Sequence, residues 1–167
     1  MGIIHTTFNN LSKDQKTLVS AAQKVMARAY NLYSSFYVGA SVLTKSGNTF
    51  SSANMENSSY GLSVCAEVGA IQQALSAADP EITAIAICGG YKPDSGGLIT
   101  TPCGRCRQLI YESGQIANTD IEVICANADL SSILVAKISD LLPYPFGPKD
   151  LKLDQEIDVL LNRIKNA

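Results

Sequence analysis

The chain has 167 residues, enough for one domain that buries a core without disulfide staples. Its 46% apolar and 17% charged content lies near the soluble globular average, which excludes disordered and fibrous classes. A formal charge of −2, a pI near 5.3 and scattered Lys/Arg residues argue against a polynucleotide partner, and no apolar run approaches the roughly 18 residues of a membrane-spanning helix.

Five cysteines without a charged-then-apolar leader point to a reducing, cytoplasmic setting in which free thiols and metal thiolates both survive. Residues 1–11 are read as a loose N-terminus of a single domain. Through residues 12–31, Leu18, Ala21, Ala22, Val25 and Ala29, continued by Leu32, recur at three- and four-residue steps, which predicts an amphipathic helix capped by Ser12. Residues 37–43 and 49–53 are strand-forming runs, and Lys45-Ser46-Gly47-Asn48 between them reads as a hairpin turn. A second helix is expected from Ser63 or Val64 to Ala78, stopped by Asp79-Pro80.

The nearly continuous apolar run at 82–88, ending in Gly89-Gly90, predicts a strand buried on both faces at the centre of a sheet. A loop at 92–97 follows, then a helix over 102–112 with Pro102 at its start and Gly114 as its stop signal. Strands are expected at 121–126 and 132–137, an aromatic and proline-rich loop at 144–148, and a final helix over 149–165 with Leu153, Ile157, Leu160, Leu161 and Ile164 on one stripe. The order helix, hairpin, helix, strand, helix, strand, strand gives an α/β fold: a three-layer α/β/α arrangement around a mixed sheet of about five strands.

The chemistry is concentrated between Val64 and Gln108, where Cys65, Glu67, Cys103 and Cys106 lie. The single histidine, His5, falls near the N-terminus, which removes Ser-His-Asp and Cys-His arrangements and leaves carboxylates, Tyr, Lys or metal-activated water for proton chemistry. Any zinc site would therefore have to be all-sulfur among its protein ligands. Cys103 and Cys106 are one helical turn apart behind Pro102, at a helix start whose free N–H groups and dipole favour thiolate. With Cys65 opening the previous helix, two helix N-termini can direct three thiolates at one ion, and a three-ligand site keeps a position for water. Three thiolates on a divalent cation leave net charge −1, which a guanidinium from Arg105 or Arg107 would offset.

These residues belong to longer motifs. Asn54 through Gly61, Cys65-Ala66-Glu67, Thr101-Pro102-Cys103-Gly104-Arg105-Cys106-Arg107-Gln108 and Leu141 through Pro148, together with Phe36 through Ala40, resemble the small homotetrameric cytidine deaminases over about residues 34–151. A Cys-x-Glu element followed by Pro-Cys-x-x-Cys is the general zinc-deaminase signature. The resemblance implies one zinc per chain on Cys65, Cys103 and Cys106, with Glu67 as proton shuttle in the hydrolytic deamination of cytidine and deoxycytidine. It further implies Asn54 and Glu56 at the ribose hydroxyls, Phe36 against the nucleoside, the Ala66 backbone at the base and the Thr101 carbonyl at the departing amine. Tyr60 and Phe146 would reach in from neighbouring subunits of a homotetramer with shared active sites.

Two departures from that pattern stand out. Many relatives have Arg directly after the Glu, where this chain has Val68, so Arg105 is expected to take over charge compensation. That exchange, with the Pro-Cys-Gly-Arg-Cys form, also resembles blasticidin S deaminases, which act on a related aminopyrimidine. The same chemistry on a modified aminopyrimidine nucleoside is thus one alternative, and a zinc-stabilised binding protein without catalysis is another. Cys88 and Cys125 sit inside apolar strand runs and are read as core thiols.

Overall fold

The computed structural model describes residues 2–93 and 96–166, so Asp94 and Ser95 of the expected loop lie outside the described residues. In chain order the elements are β1 (Ile4–Thr6), α1 (Lys13–Met26), β2 (Tyr37–Thr44), β3 (Thr49–Ala53), α2 (Ala66–Ser76), β4 (Ile82–Gly90), α3 (Gly104–Ala117), β5 (Glu122–Asn127), β6 (Ile133–Lys137), the short α4 (Ile138–Leu141) and α5 (Asp154–Lys165). The strands form one mixed sheet in the order β1-β6-β5-β4-β2-β3, in which only β4 and β5 run parallel.

The three layers follow from how side-chain size alternates along the strands. Ala84, Ala86 and Cys88 of β4 cluster with Leu18, Val19, Ala22 and Met26 of α1, so the small residues of β4 meet a bulky helix, with Ile124 of β5 and Ile133 of β6 completing that face. On the opposite face Ile85, Ile87 and Val123 meet Ala66, Ala70 and Ala74 of α2, so bulky strands meet a small-residue helix. The apolar run of β4 is buried on both sides as expected. Gly69 brings α2 close to β3, because a Cβ there would lie 2.3 Å from Ser52 Oγ.

Ser12 caps α1 as predicted, in a full capping box: it accepts from Gln15 N at 3.2 Å, and Gln15 Oε1 accepts from Ser12 N at 2.9 Å. The helix ends at Met26 rather than Asn31. Tyr30 leaves the helical path to pair with the segment after β3, its N–H donating to Asn54 O at 3.0 Å and its carbonyl accepting from Glu56 N at 2.7 Å. Leu32, the last member of the expected stripe, is consequently 71% exposed.

The N-terminal segment expected to be loose supplies a sixth strand, pairing antiparallel with β6 from Ile4↔Val135 to Thr6↔Ile133. A three-residue edge strand carries no usable period, and its partner lies near the far end of the chain. Gly114 does not stop α3, which continues to Ala117 and closes at Asn118 with φ 47°. Gly114 instead serves packing: a Cβ there would come within 2.6 Å of Thr119 O.

The last helix also begins later than expected. Residues Pro148–Leu151 form a separate 3-10 turn, ended by Lys152 at φ 59°, before α5 starts. Ile157, Leu160, Leu161 and Ile164 line an apolar cleft with Leu75 and Ile116, near the ends of α2 and α3, and Pro80 in the connection from α2 to β4. Lys165 pairs with Glu81, which also holds Lys45 at 2.9 Å. Leu153, the first residue of the expected stripe, precedes the helix and is 36% exposed. No described helix is long and apolar enough to cross a membrane.

Candidate active site

Two helix N-termini meet beside β4. Cys65 is the N-cap of α2 (ψ 150°) and Cys103 the N-cap of α3 (ψ 168°), while Cys106 occupies the first turn of α3. Their three Sγ atoms all lie within 4.8 Å of one another, and they form the only group of three or more such donors found among the described residues. Cys106 is fully buried beneath the other two, Cys65 is half-buried and Cys103 is exposed. Pro102 precedes the cap rather than opening the helix, so the expected start of α3 shifts by two residues and the convergence of sulfurs is preserved.

The cluster favours negative charge. The Cys65 thiol is brought down to about 6, chiefly by the hydrogen bond it receives from Cys106, against opposing effects of burial and the Glu67 carboxylate; Cys103 and the Arg105 guanidinium add to the lowering. Cys106 moves up, because it gives that hydrogen bond and is buried. A set of soft donors at two positive helix ends suits zinc, which binds thiolate at about 2.3 Å. No fourth His, Cys or carboxylate joins the set among the described residues, which is the donor count of a site that keeps an open position.

Glu67, the second residue of α2, is 4% exposed. Burial raises its carboxyl above the ordinary range, opposed by hydrogen bonds from its own backbone and from Cys106. Cys65, Ala66, Glu67, Thr101 and Cys103 line one cavity of about 330 Å³, together with Phe36, Asn54 and Glu56. The Asn54-Met55-Glu56 segment is fixed to the start of α2 by a reciprocal backbone pair, Met55 N to Val64 O at 2.9 Å and Val64 N to Met55 O at 2.8 Å. This pairing holds Val64 extended and explains why α2 begins at Ala66 and not at Ser63 or Val64.

The wall residues are themselves braced. Asn54 Oδ1 accepts from Val38 N at 2.8 Å and its Nδ2 donates to Phe36 O at 3.1 Å, so the side chain spans the start of β2. The Glu56 carboxylate accepts from the Ser34 hydroxyl, from Tyr33 N at 2.8 Å and from Ser34 N at 3.1 Å, and these bonds, led by the hydroxyl, hold its pKa below the usual value. Ala66, as the first residue of α2, has an N–H without an intrahelical acceptor.

Besides Cys106, which lies beneath the other two thiols, three of the residues named from the sequence stand apart from the cavity wall. Tyr60 is 78% exposed and meets Tyr33 edge-on at 6.2 Å, and Phe146 is 61% exposed with its carbonyl accepting from Gln108 Nε2 at 2.7 Å. Arg105 is exposed on the first turn of α3, where its charge acts on Cys65. Arg107 does a different job: Nε donates to Pro102 O at 2.9 Å and an Nη to Leu141 O at 3.0 Å, tying the Cys103 turn to α4. Its place one residue past Cys106 gave no hint of that role. Cys88 and Cys125 remain outside the cluster as buried core thiols, both pushed up to about 12, first by burial.

Comparison with known proteins agrees with this geometry. Residues 12–121 match the model of the cytidine and deoxycytidylate deaminase zinc-binding region. The chain is 37% identical over 140 residues to a probable cytidine deaminase of Dictyostelium discoideum, covering 84% of this chain and 88% of that protein. It is 36% identical over 140 residues to the cytidine deaminase of Halalkalibacterium halodurans, covering 83% of this chain and 98% of that one. The crystal structure of cytidine deaminase from Burkholderia pseudomallei superposes with a TM-score of 0.69 at 37% identity, covering 81% of this chain and all of that one. The converging thiol cluster, the buried carboxylate beside it and the matched length together place this chain in the cytidine and deoxycytidylate deaminase family.

Proposed function

We propose that this protein hydrolytically deaminates cytidine and deoxycytidine to uridine and deoxyuridine, releasing ammonia. One observation carries the choice of free nucleoside within the family. The cavity wall includes the carboxylates of Glu56 and Glu67 and the thiols of Cys65 and Cys103, and none of its residues is Lys, Arg or His. A neutral pyrimidine nucleoside fits such a wall. A nucleotide would bring a phosphate dianion against it with no cation in place to receive the charge.

Cys65, Cys103 and Cys106 would hold one zinc ion, which when bound supplies the Lewis acidity that lets water act as a nucleophile near neutral pH. Glu67 takes a proton from that water and delivers it to the ring nitrogen next to carbon 4, making the carbon electrophilic. The water oxygen then adds to carbon 4. Glu67 carries the second proton to the 4-amino group, the C–N bond breaks, and ammonia leaves. A carboxyl whose pKa is raised by burial is suited to both taking and giving a proton at neutral pH. The Ala66 N–H and the Thr101 carbonyl orient the base and the departing amine.

Asn54 and Glu56 retain capacity for the ribose: the amide of Asn54 has a second N–H, and the Glu56 carboxylate has a lone-pair site beyond the three in use. Tyr60 and Phe146, exposed and away from their own chain's cavity, are available to a neighbour's, which supports a homotetramer with shared active sites. All five cysteines are free, in keeping with a cytoplasmic location.

The zinc-loaded protein is expected to bleach cytidine near its ultraviolet maximum, with kcat/KM roughly 100-fold above that for deoxycytidylate, equivalent to about 2.7 kcal/mol of like-charge conflict. Equal rates on the two would overturn the nucleoside reading, and turnover of neither would point to a binding protein. Val68 in place of the arginine common in relatives favours blasticidin S as the second substrate to assay, and faster turnover of it than of cytidine would reverse the substrate order. Arg105→Ala is expected to lower kcat/KM about threefold to tenfold with an unchanged melting temperature, because an exposed charge adds little to folding yet offsets the thiolates. Equal activity with and without Arg105 would remove its role.

A further inference from the structure

We infer that Tyr91 is a positioning residue for the nucleoside, acting through Phe36; the inference rests on the reading of the cavity as a nucleoside site. The strand register brings the two rings together. β2 and β4 pair antiparallel with Tyr37 opposite Gly90, so the next pair outward places Phe36 opposite Tyr91 just past the ends of the two strands. The rings meet edge to face, with centroids 5.0 Å apart and planes at 88°, an arrangement favoured by aromatic quadrupoles.

What the two residues do differs. Phe36 is partly buried and lines the cavity, and both of its backbone polar groups are tied down, its N–H to Ser34 Oγ at 2.9 Å and its carbonyl to Asn54 Nδ2 at 3.1 Å. Those bonds fix the main chain and leave the ring's rotamer to be set by its neighbours. Tyr91 is 71% exposed and is not part of the cavity wall, so it contributes little to the core. Its ring contact is with the one aromatic side chain on that wall, and a partner on the outer side of Phe36 stops the ring from swinging out of the site. The consequence falls on nucleoside binding, since proton transfer is carried by Glu67, which Tyr91 does not contact.

The test compares Tyr91→Ala, Tyr91→Phe, Phe36→Ala and the double alanine variant of the zinc-loaded protein, with cytidine as substrate and uridine as a non-reacting probe for Kd. Tyr91→Ala is expected to raise KM for cytidine and Kd for uridine about threefold to tenfold with kcat and melting temperature held, the scale of one aromatic pair. Tyr91→Phe, which keeps the ring edge, should restore wild-type values. The double variant should match Phe36→Ala alone, because Tyr91 acts only through that ring. Unchanged KM and Kd in Tyr91→Ala beside a raised KM in Phe36→Ala would overturn the inference while leaving the nucleoside reading intact, as would independent, multiplying effects. An unchanged KM in Phe36→Ala itself would overturn both.

Discussion

Glu67→Gln is expected to retain zinc, fold and melting temperature while losing turnover by roughly 10²–10⁴-fold or more, the range typical of positioned acid–base groups. The substitution is nearly isosteric, so the closely packed start of α2 is undisturbed, and the residue is not one of the three clustered cysteines. What disappears is the proton carrier. An amide can donate and accept hydrogen bonds in the same place, but it cannot take a proton from water or hand one to the ring nitrogen and the amine. The loss should fall on kcat, because both transfers belong to the chemical step, with KM for cytidine little changed. Single-turnover rates on zinc-replete protein provide the measurement, and near-normal rates would sink the proposed mechanism. The other carboxylate lining the cavity, Glu56, has its oxygens engaged by Tyr33 and Ser34 and is not at the start of α2 beside the thiols.

Cys103→Ala should strip the site of metal. The side chain is exposed and makes no cap hydrogen bond to α3, so its removal leaves the helix and the core in place and takes away one of three donors. The expected fall in zinc affinity is larger than the 10–100-fold that changes outside the ligand set produce, and deamination should fall with it. Zinc content after dialysis against a weak chelator, read beside circular dichroism, separates loss of metal from loss of fold. Cys88→Ala is the matched control: that thiol is buried on the α1 side of the sheet and stands apart from the cluster, so the variant should keep its ion. One zinc per chain in Cys103→Ala would contradict the ligand assignment, and zinc loss in the Cys88 control would implicate a fourth sulfur.

Much of the molecule was legible because its signals are local. Ser12 and Gln15 announce a capping box by spacing alone, and the apolar run of β4 announces a strand covered on both faces. The Lys45 to Asn48 hairpin follows from turn chemistry, with Gly47 at φ 84° where a left-handed residue is needed. Residue type, helix-start position and the lack of a usable histidine drew attention to Cys65, Cys103 and Cys106, and the resemblance to the zinc deaminases gave them and Glu67 their expected roles. The misreadings occur where a local signal was outweighed by something distant. Gly114 looks like a stop but is the point at which α3 accommodates Thr119, and the end of α1 is set by Tyr30 pairing with Asn54 and Glu56.

The sequence by itself determined the chemistry of this protein: thiol donors at two helix starts, a carboxylate two residues from one of them, and alternating strands between helices. Those depend on residue type and short spacings, which a linear chain displays directly. Tertiary structure alone decided which groups are free to act. It bound the Asn54-Met55-Glu56 segment to the start of α2 through Met55 and Val64, spent Arg107 on two carbonyls while leaving the Arg105 charge to lower the Cys65 thiol, and set Tyr91 against Phe36 by strand register. Each of those pairings is a contact between segments far apart in the chain. Such a contact is fixed by packing and register rather than by any property of the residues on their own.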